Sequence, residues 1–172
     1  HFFFHAEDGI RDLVRSSWLG DVYKRQVYIC IGYGDEEKNI KDLVKELDLS
    51  SQVMFFKEIS EDLKNALIAK SNIFVMPSII HGKSVEGFGI AYVEAAQYGI
   101  ASLGGKDGGA SDAINHETTG LICDGNELED IYSSLNSMLE NKKYSELGKN
   151  AKEYSSKFNW SNTIEEYKKI LQ

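Results

Sequence analysis

Short apolar runs alternate with longer amphipathic segments between Val27 and Cys123, and this order constrains the fold more than any other feature. The apolar runs have the length of strands and lack polar positions, as expected for strands that are covered on both faces. Strands that alternate with helices form βα units with right-handed crossovers. The sequence therefore predicts an α/β domain with a Rossmann-like parallel sheet and helices on both faces. The predicted strands are 27–31, 53–56, 73–76, 100–103 and 120–123.

The segments between these runs carry helix signals of their own. One apolar face runs through 36–47, and Ser60 is the predicted N-cap of a second helix. Asn126 and Glu129 have the spacing of a capping box, which predicts a helix to about residue 140. Further helices are predicted near 88–98, 142–156 and 161–171.

Two carboxylates, Glu86 and Glu94, bracket a Gly-Phe-Gly turn and the start of a short apolar helix. A helix with almost no polar face is buried on most sides, and a buried carboxylate is costly without partners. No basic residue lies three or four positions from Glu94. A ligand rich in hydroxyl groups would satisfy Glu94, and an anion could approach the backbone of Gly87 and Gly89. A ligand that has both hydroxyl groups and an anionic group would be a phosphorylated sugar or a nucleotide. The alternative is that Glu94 and Gln97 form a solvated stripe and Glu86 is a loop charge.

Three glycine-bearing loops follow predicted strands directly: 32–34, 87–89 and 104–109. Ligands of parallel α/β sheets bind beyond the carboxyl ends of the strands, so we expect the three loops to share one rim. Gly32 and Gly34 lack the third glycine of a dinucleotide fingerprint, and a tight turn explains them as well as a nucleotide contact does. The 104–109 loop is a stronger signal, because glycine at four of its six positions indicates that backbone shape matters.

Composition excludes several classes of function. A net charge of −8 argues against a nucleic-acid partner. Cys30 and Cys123 lie in apolar runs and are interpreted as reduced core residues, with a disulfide or metal pair as the alternative. No apolar run approaches the ~18 residues of a membrane span, which makes the cytoplasm the expected location. His81 and His116 are interpreted as loop residues, because no nucleophile–base pair surrounds them.

Residues 1–26 differ from the rest in composition, because all three arginines lie there and every later basic residue is lysine. The stretch from His5 to Gln26 also resembles translated sequencing-adapter DNA. We interpret 1–26 as a foreign or disordered extension that contributes nothing to the fold, and 27–172 as the functional domain. A natural N-terminal extension is the alternative.

The motif around Glu86 and Glu94 resembles a known signature. Pro77-Ser78, Glu86-Gly87-Phe88-Gly89, Glu94-Ala95 and Gly99 resemble the donor site of retaining GT-B glycosyltransferases of family four, the glycosyl transferases group 1. The form of the motif is close to that of phosphatidylinositol mannosyltransferase-like and lipopolysaccharide-type members. The resemblance implies the C-terminal, nucleotide-sugar-binding half of a GT-B fold. Its first strand and the N-terminal acceptor domain would then be missing from the chain.

The resemblance also implies roles for individual residues. Glu86 is expected to be the catalytic residue that orients the sugar hydroxyls, and Glu94 is expected to hold the ribose hydroxyls. No metal and no cofactor are expected, since the nucleotide-sugar is a substrate. The other expected donor-binding residues are Gly87, Phe88, Gly89, Ile90, Gly32, Gly34, Gly104, Gly105 and Lys106.

The implied function is transfer of a sugar from a UDP- or GDP-sugar to an acceptor in glycan, lipopolysaccharide or glycolipid synthesis. The acceptor domain would bring the protein to the inner face of the membrane, and the chain alone is expected to be inactive without that domain. Two alternatives remain open from the sequence: a non-catalytic nucleotide-sugar-binding module, and a sugar-nucleotide epimerase-like GT-B relative.

Overall fold

The computed structural model describes residues 2–6, 26–80, 82–83 and 85–171. Two compact units divide the chain, His1–Met76 and Pro77–Gln172. His81, which the sequence assigned to a loop, lies outside the described residues. Within the described ranges, no helix combines the length and the apolar character that a membrane crossing needs.

The first unit contains strands and helices in alternation, as predicted. Strands β2 (Tyr28–Ile31) and β3 (Val53–Phe56) are parallel, with Tyr28 opposite Val53 and Ile31 opposite Phe56. The Ser60 side chain accepts a hydrogen bond from the Leu63 backbone N–H at 3.3 Å, which confirms the predicted N-cap. The elements are β1 (Phe2–Ala6), β2 (Tyr28–Ile31), α1 (Glu37–Glu46), β3 (Val53–Phe56), α2 (Glu61–Lys70) and β4 (Ser71–Met76).

Strand β1 differs from the sequence expectation, because residues 1–26 were predicted to lie outside the fold. Phe2–Ala6 instead runs between β2 and β4 and is antiparallel to both. Phe3 lies opposite Cys30 on one side and opposite Val75 on the other. Without β1, the facing edges of β2 and β4 would leave rows of backbone groups unpaired. Residues 2–6 therefore take part in the sheet, contrary to the expectation that they lie outside the fold. The interpretation of 1–26 as a foreign segment stays a prediction, and 7–25 lie outside the described residues.

The second unit continues the βα pattern and ends in helices. Strands β5 (Ala101–Gly105) and β6 (Gly120–Cys123) are parallel, with Leu103 opposite Leu121. Tyr92, Leu103, Met138 and Leu147 form its core, each at most 2% exposed. The elements are α3 (Ile90–Gln97), β5 (Ala101–Gly105), α4 (Ala110–Ala113), β6 (Gly120–Cys123), α5 (Leu128–Leu139), α6 (Lys143–Ser155) and α7 (Trp160–Ile170).

The predicted capping box at Asn126 is wrong. Helix α5 begins at Leu128 after Glu127, and Glu127 makes no side-chain cap bond. The Asn126 side-chain amide instead donates to Asp107 at 3.4 Å and to Asp124 at 3.3 Å. The Asn126 side chain is thus bound by Asp107, which approaches it only in the folded chain, and by the nearby Asp124, and it does not cap the helix. The prediction for α3 is correct at its C-terminus, where Gly99 follows the cap residue Tyr98.

Candidate functional site

The Glu86–Gly89 turn leads directly into helix α3. Gly89 is the N-cap residue and has a φ of +77°, so the helix begins at Ile90 and not near Phe88 as expected. A Cβ at Gly89 would lie 2.5 Å from Cδ2 of Tyr92. Glycine is therefore required here both by the left-handed backbone and by the ring beneath it. Gly87 is different, because it is exposed and nothing lies within 4 Å of the position of its Cβ.

The 104–109 loop holds the Glu86–Gly89 turn by backbone contacts. The Gly109 N–H donates to the carbonyl oxygen of Glu86 at 3.1 Å. A Cβ at Gly109 would overlap the carbonyl group of Gly87, and one at Gly108 would lie 2.5 Å from the carbonyl oxygen of Glu86. The glycines of this loop therefore allow two loop backbones to touch, which fixes the position of Glu86.

Gly104 and Gly105 lie in strand β5 and are buried, whereas the sequence placed them in a loop. A Cβ at Gly104 would lie 2.7 Å from the Ile114 side chain, and one at Gly105 would overlap the backbone of Ser78. Close packing accounts for glycine at both positions. Their expected contact with a donor stays a prediction.

Tyr92 connects the elements of this site, and no role was predicted for it from the sequence. Its side chain is 1% exposed, and hydrogen bonds join its phenol to the Ser78 side chain and the Gly105 backbone. Burial, with a smaller contribution from the negative charge of Glu86, raises the pKa of Tyr92 to about 12. The signal in the sequence was a tyrosine in a mostly aliphatic helix, because a buried tyrosine needs a hydrogen-bond partner.

The two carboxylates of the motif are both half-buried. Glu94 has an interaction partner within the chain, so its burial does not by itself require a ligand.

The first turn of α3 has no side-chain cap at Gly89 and no acidic residue. Its Ile90 side chain is 68% exposed. Backbone N–H groups at such a helix start can bind an anion, which the helix dipole favours.

Lys106 and Asp124 follow the carboxyl ends of the parallel strands β5 and β6 and form an ion pair. Asp124 raises the pKa of Lys106, and Lys106 in turn lowers the pKa of Asp124. The backbone N–H of Asp124 donates to Asp130 at 2.7 Å, which holds this carboxylate segment in place. Lys106 was predicted to contact the donor, and that contact stays a prediction. Its ion pair with Asp124 was not predicted, because 18 residues separate the two.

Gly32 and Gly34 belong to the first unit and are exposed. Gly32 has a φ of +131°, and its N–H donates to the carbonyl oxygen of Phe56 at 2.9 Å. The Gly34 carbonyl accepts from the Glu37 N–H at 3.1 Å, immediately before α1. These bonds describe a tight turn, and a nucleotide contact at this loop stays a prediction.

All of the expected site residues except Gly32 and Gly34 lie in the second unit. Within the described part of the chain, no group of three or more histidine, cysteine, aspartate or glutamate side chains is placed to hold a metal ion. The expectation of a site without metal or cofactor stays a prediction.

An α/β architecture with parallel strand pairs and glycine-bearing turns at strand ends is that of the Rossmann-like class, whose ligands bind beyond the carboxyl ends of the strands. Residues 13–154 match the family described as glycosyl transferases group 1. The chain belongs to this family. The match begins inside the 1–26 segment, so its start does not coincide with the boundary that composition suggested.

A curated relative and two solved structures show how far the similarity extends. The chain is 27% identical over 113 residues to the GDP-mannose-dependent alpha-(1-6)-phosphatidylinositol monomannoside mannosyltransferase of Mycobacterium tuberculosis. That match covers 64% of this chain and 29% of the relative. Anabaena HepE in complex with UDP superimposes with a TM-score of 0.69 at 23% identity, over 83% of this chain and 40% of HepE.

The second structure is the C-terminal domain of a glycosyl transferase group 1 family protein, LpcC, from Francisella tularensis. It superimposes with a TM-score of 0.61 at 20% identity, over 72% of this chain and 62% of that chain. At these identities the structures show the shared fold, which is that of GT-B glycosyltransferases. The chain spans less than a third of the length of the mycobacterial relative.

Proposed function

We propose that this chain is the donor-binding part of a retaining glycosyltransferase that moves a sugar from a UDP- or GDP-sugar to an acceptor. The observation that carries the proposal is the Glu86–Gly89 turn. Gly109 holds its backbone, while Gly87 and the start of α3 remain open to a ligand. Membership of the glycosyl transferases group 1 supports this reading of the turn.

Each part of the turn has a role in the proposal. The diphosphate of the donor binds the backbone N–H groups of 87–90, where the helix dipole stabilises the charge that develops on the leaving group. Glu86 contacts the sugar hydroxyls as the catalytic residue, and Glu94 accepts hydrogen bonds from the ribose hydroxyls. Phe88 and Ile90 line the approach, since both are exposed. Lys106 adds positive charge at the neighbouring strand end.

Both bases remain in the proposal because the relatives point to both. The mycobacterial relative is named for GDP-mannose, and HepE is described in complex with UDP. The parent reaction serves glycan, lipopolysaccharide or glycolipid synthesis at the cytoplasmic face of a membrane, requires no metal, and uses an acceptor domain outside this chain. The chain alone binds donor but does not transfer sugar.

The test is calorimetric titration of the wild type and of Glu94→Ala with UDP-glucose and GDP-mannose. One lost hydrogen bond to a charged group costs about 1.5–3 kcal/mol, so affinity should fall about tenfold to 150-fold. Gln97→Ala, an exposed change on the same helix, is the control and should bind as the wild type does. Equal affinities for the wild type and Glu94→Ala would remove the ribose role. Absence of any binding by the wild type would remove the proposal itself, and turnover by the chain alone would contradict its expected inactivity.

A further inference from the structure

Tyr92 makes contacts beyond those of an ordinary core residue. Its ring lies beneath Gly89, where no Cβ could be accommodated, and its backbone N–H donates to the Gly89 carbonyl at 2.9 Å. Its phenol bonds to two separate segments, through the Ser78 side chain and the Gly105 backbone. These two segments approach so closely that a Cβ at Gly105 would overlap the Ser78 backbone. One hydroxyl therefore ties the 77–78 segment to the end of β5.

This tie continues along the chain to Glu86. Gly105 is the last residue of β5 and the start of the loop whose other end is Gly109. The Gly109 N–H holds the Glu86 carbonyl, and the backbone of Gly109 lies against Gly87. Fixing Gly105 therefore fixes the loop that holds the carboxylate-bearing turn. The charge of Glu86 is also close enough to act on the Tyr92 phenol.

We propose that the Tyr92 hydroxyl is a positioning residue for Glu86: it fixes Ser78 and Gly105, and through the 105–109 loop it holds Glu86 where it meets the donor sugar. The inference rests on the proposed function, because it concerns the sugar contact of that same site. Tyr92 does not touch the donor in this assignment. Its loss should therefore affect recognition of the sugar more than recognition of the nucleotide, which Glu94 and the start of α3 contact directly.

The experiment uses Tyr92→Phe, which keeps the ring under Gly89 and removes only the hydroxyl. The affinity for UDP-glucose divided by the affinity for UDP should fall about threefold to tenfold relative to the wild type, which is the fold-change of one net hydrogen bond. Affinity for UDP alone should stay within about twofold. The amide of Gly109 should exchange with solvent about threefold to tenfold faster, because its bond to Glu86 is less well held. Tyr98→Phe, the same chemical change at the exposed C-cap of α3, should alter none of these values.

Ser78→Ala breaks the same hydrogen bond by removing the serine hydroxyl, while the Tyr92 hydroxyl remains. The double variant with Tyr92→Phe should lose no more than the larger of the two single losses, because both changes break one network. Additive losses, or an unchanged affinity ratio together with unchanged Gly109 exchange in folded Tyr92→Phe, would overturn the positioning role. If the wild type binds no nucleotide-sugar, the proposed function fails with it. Exchange at Gly109 then still shows whether the hydroxyl holds the turn.

Discussion

The ring of Phe88 meets the ring of Phe158 edge to face, with their centroids 5.5 Å apart. Phe88 is the middle residue of the Gly-Phe-Gly turn, and Phe158 lies in the 3-10 helix Ser156–Phe158 between α6 and α7. Tyr154 meets Phe158 in the same way at 5.4 Å. The C-terminal segment therefore contributes a side chain that holds the open side of the turn, while the 105–109 loop holds its backbone.

Phe158→Leu should loosen this turn without unfolding the domain. An edge-to-face aromatic pair is worth about 0.5–1.5 kcal/mol beyond buried area, so we expect a loss of about that size in the free energy of unfolding. We also expect weaker binding of UDP- and GDP-sugars, because Phe88 would be less well fixed. Trp160→Leu is the matched control, since Trp160 is 80% exposed at the start of α7. If both variants bind donor equally well, Phe158 does not support the site.

Local rules predicted much of this fold, and contacts distant in sequence account for most of the differences. The Ser60 cap, the strands 53–56 and 120–123, and the end of α3 at Gly99 depend on neighbouring residues, and all were predicted correctly. The pairing of Lys106 with Asp124 depends on strands being adjacent, as does the hydrogen bond from the Asn126 side chain to Asp107. Such contacts form only when β5 and β6 lie side by side in the folded chain.

Gly87 and Gly89 should respond differently to the same substitution. Gly89→Ala forces a left-handed backbone on a residue with a Cβ and drives that Cβ into Tyr92, so stability should fall by about 2 kcal/mol or more. Gly87→Ala meets no atom within 4 Å and should leave stability within about 0.5 kcal/mol. Its methyl group would instead crowd the approach of the donor. Denaturant unfolding and titration with UDP-glucose separate the effects, and loss of stability in Gly87→Ala would contradict this account.

Lys106 and Asp124 should act on donor binding in opposite directions. Asp124→Asn removes the charge that engages Lys106, so we expect diphosphate affinity to rise about twofold to fivefold. Lys106→Met should lower it by a similar factor, and both effects should shrink at high salt. Lys149→Met, an exposed change on α6, controls for net charge. If Lys106→Met binds UDP as tightly as the wild type does, Lys106 is not a donor contact.

Stability should fall as the solution becomes alkaline. Burial raises the pKa of Cys30 and that of Cys123 to about 11, and it contributes most to the raised pKa of Tyr92. In the folded chain these groups keep their protons at a pH where the unfolded chain has released them. Their contribution is therefore complete below about pH 9 and is lost as the pH rises through 11 to 12. Urea unfolding at several pH values measures the slope, which Cys30→Ala with Cys123→Ala should flatten between pH 9 and 11.

The position of β1 gives the most direct test of the fold. Phe2–Ala6 pairs with β2 on one side and with β4 on the other, so deleting residues 1–26 would leave two facing strand edges unpaired. Each net hydrogen bond contributes about 0.5–1.5 kcal/mol, and the loss of several should lower the free energy of unfolding by at least about 2 kcal/mol.

Exposed edges also pair with other chains, so the shortened protein should associate as its concentration rises, which light scattering would detect. Phe3→Pro is the matched point variant, because proline lacks the N–H that a strand between two neighbours donates. An unfolding transition that stays in place in both variants would show that β1 adds nothing to the fold. That result would favour the interpretation of 1–26 as a foreign segment over the pairing seen in the structure.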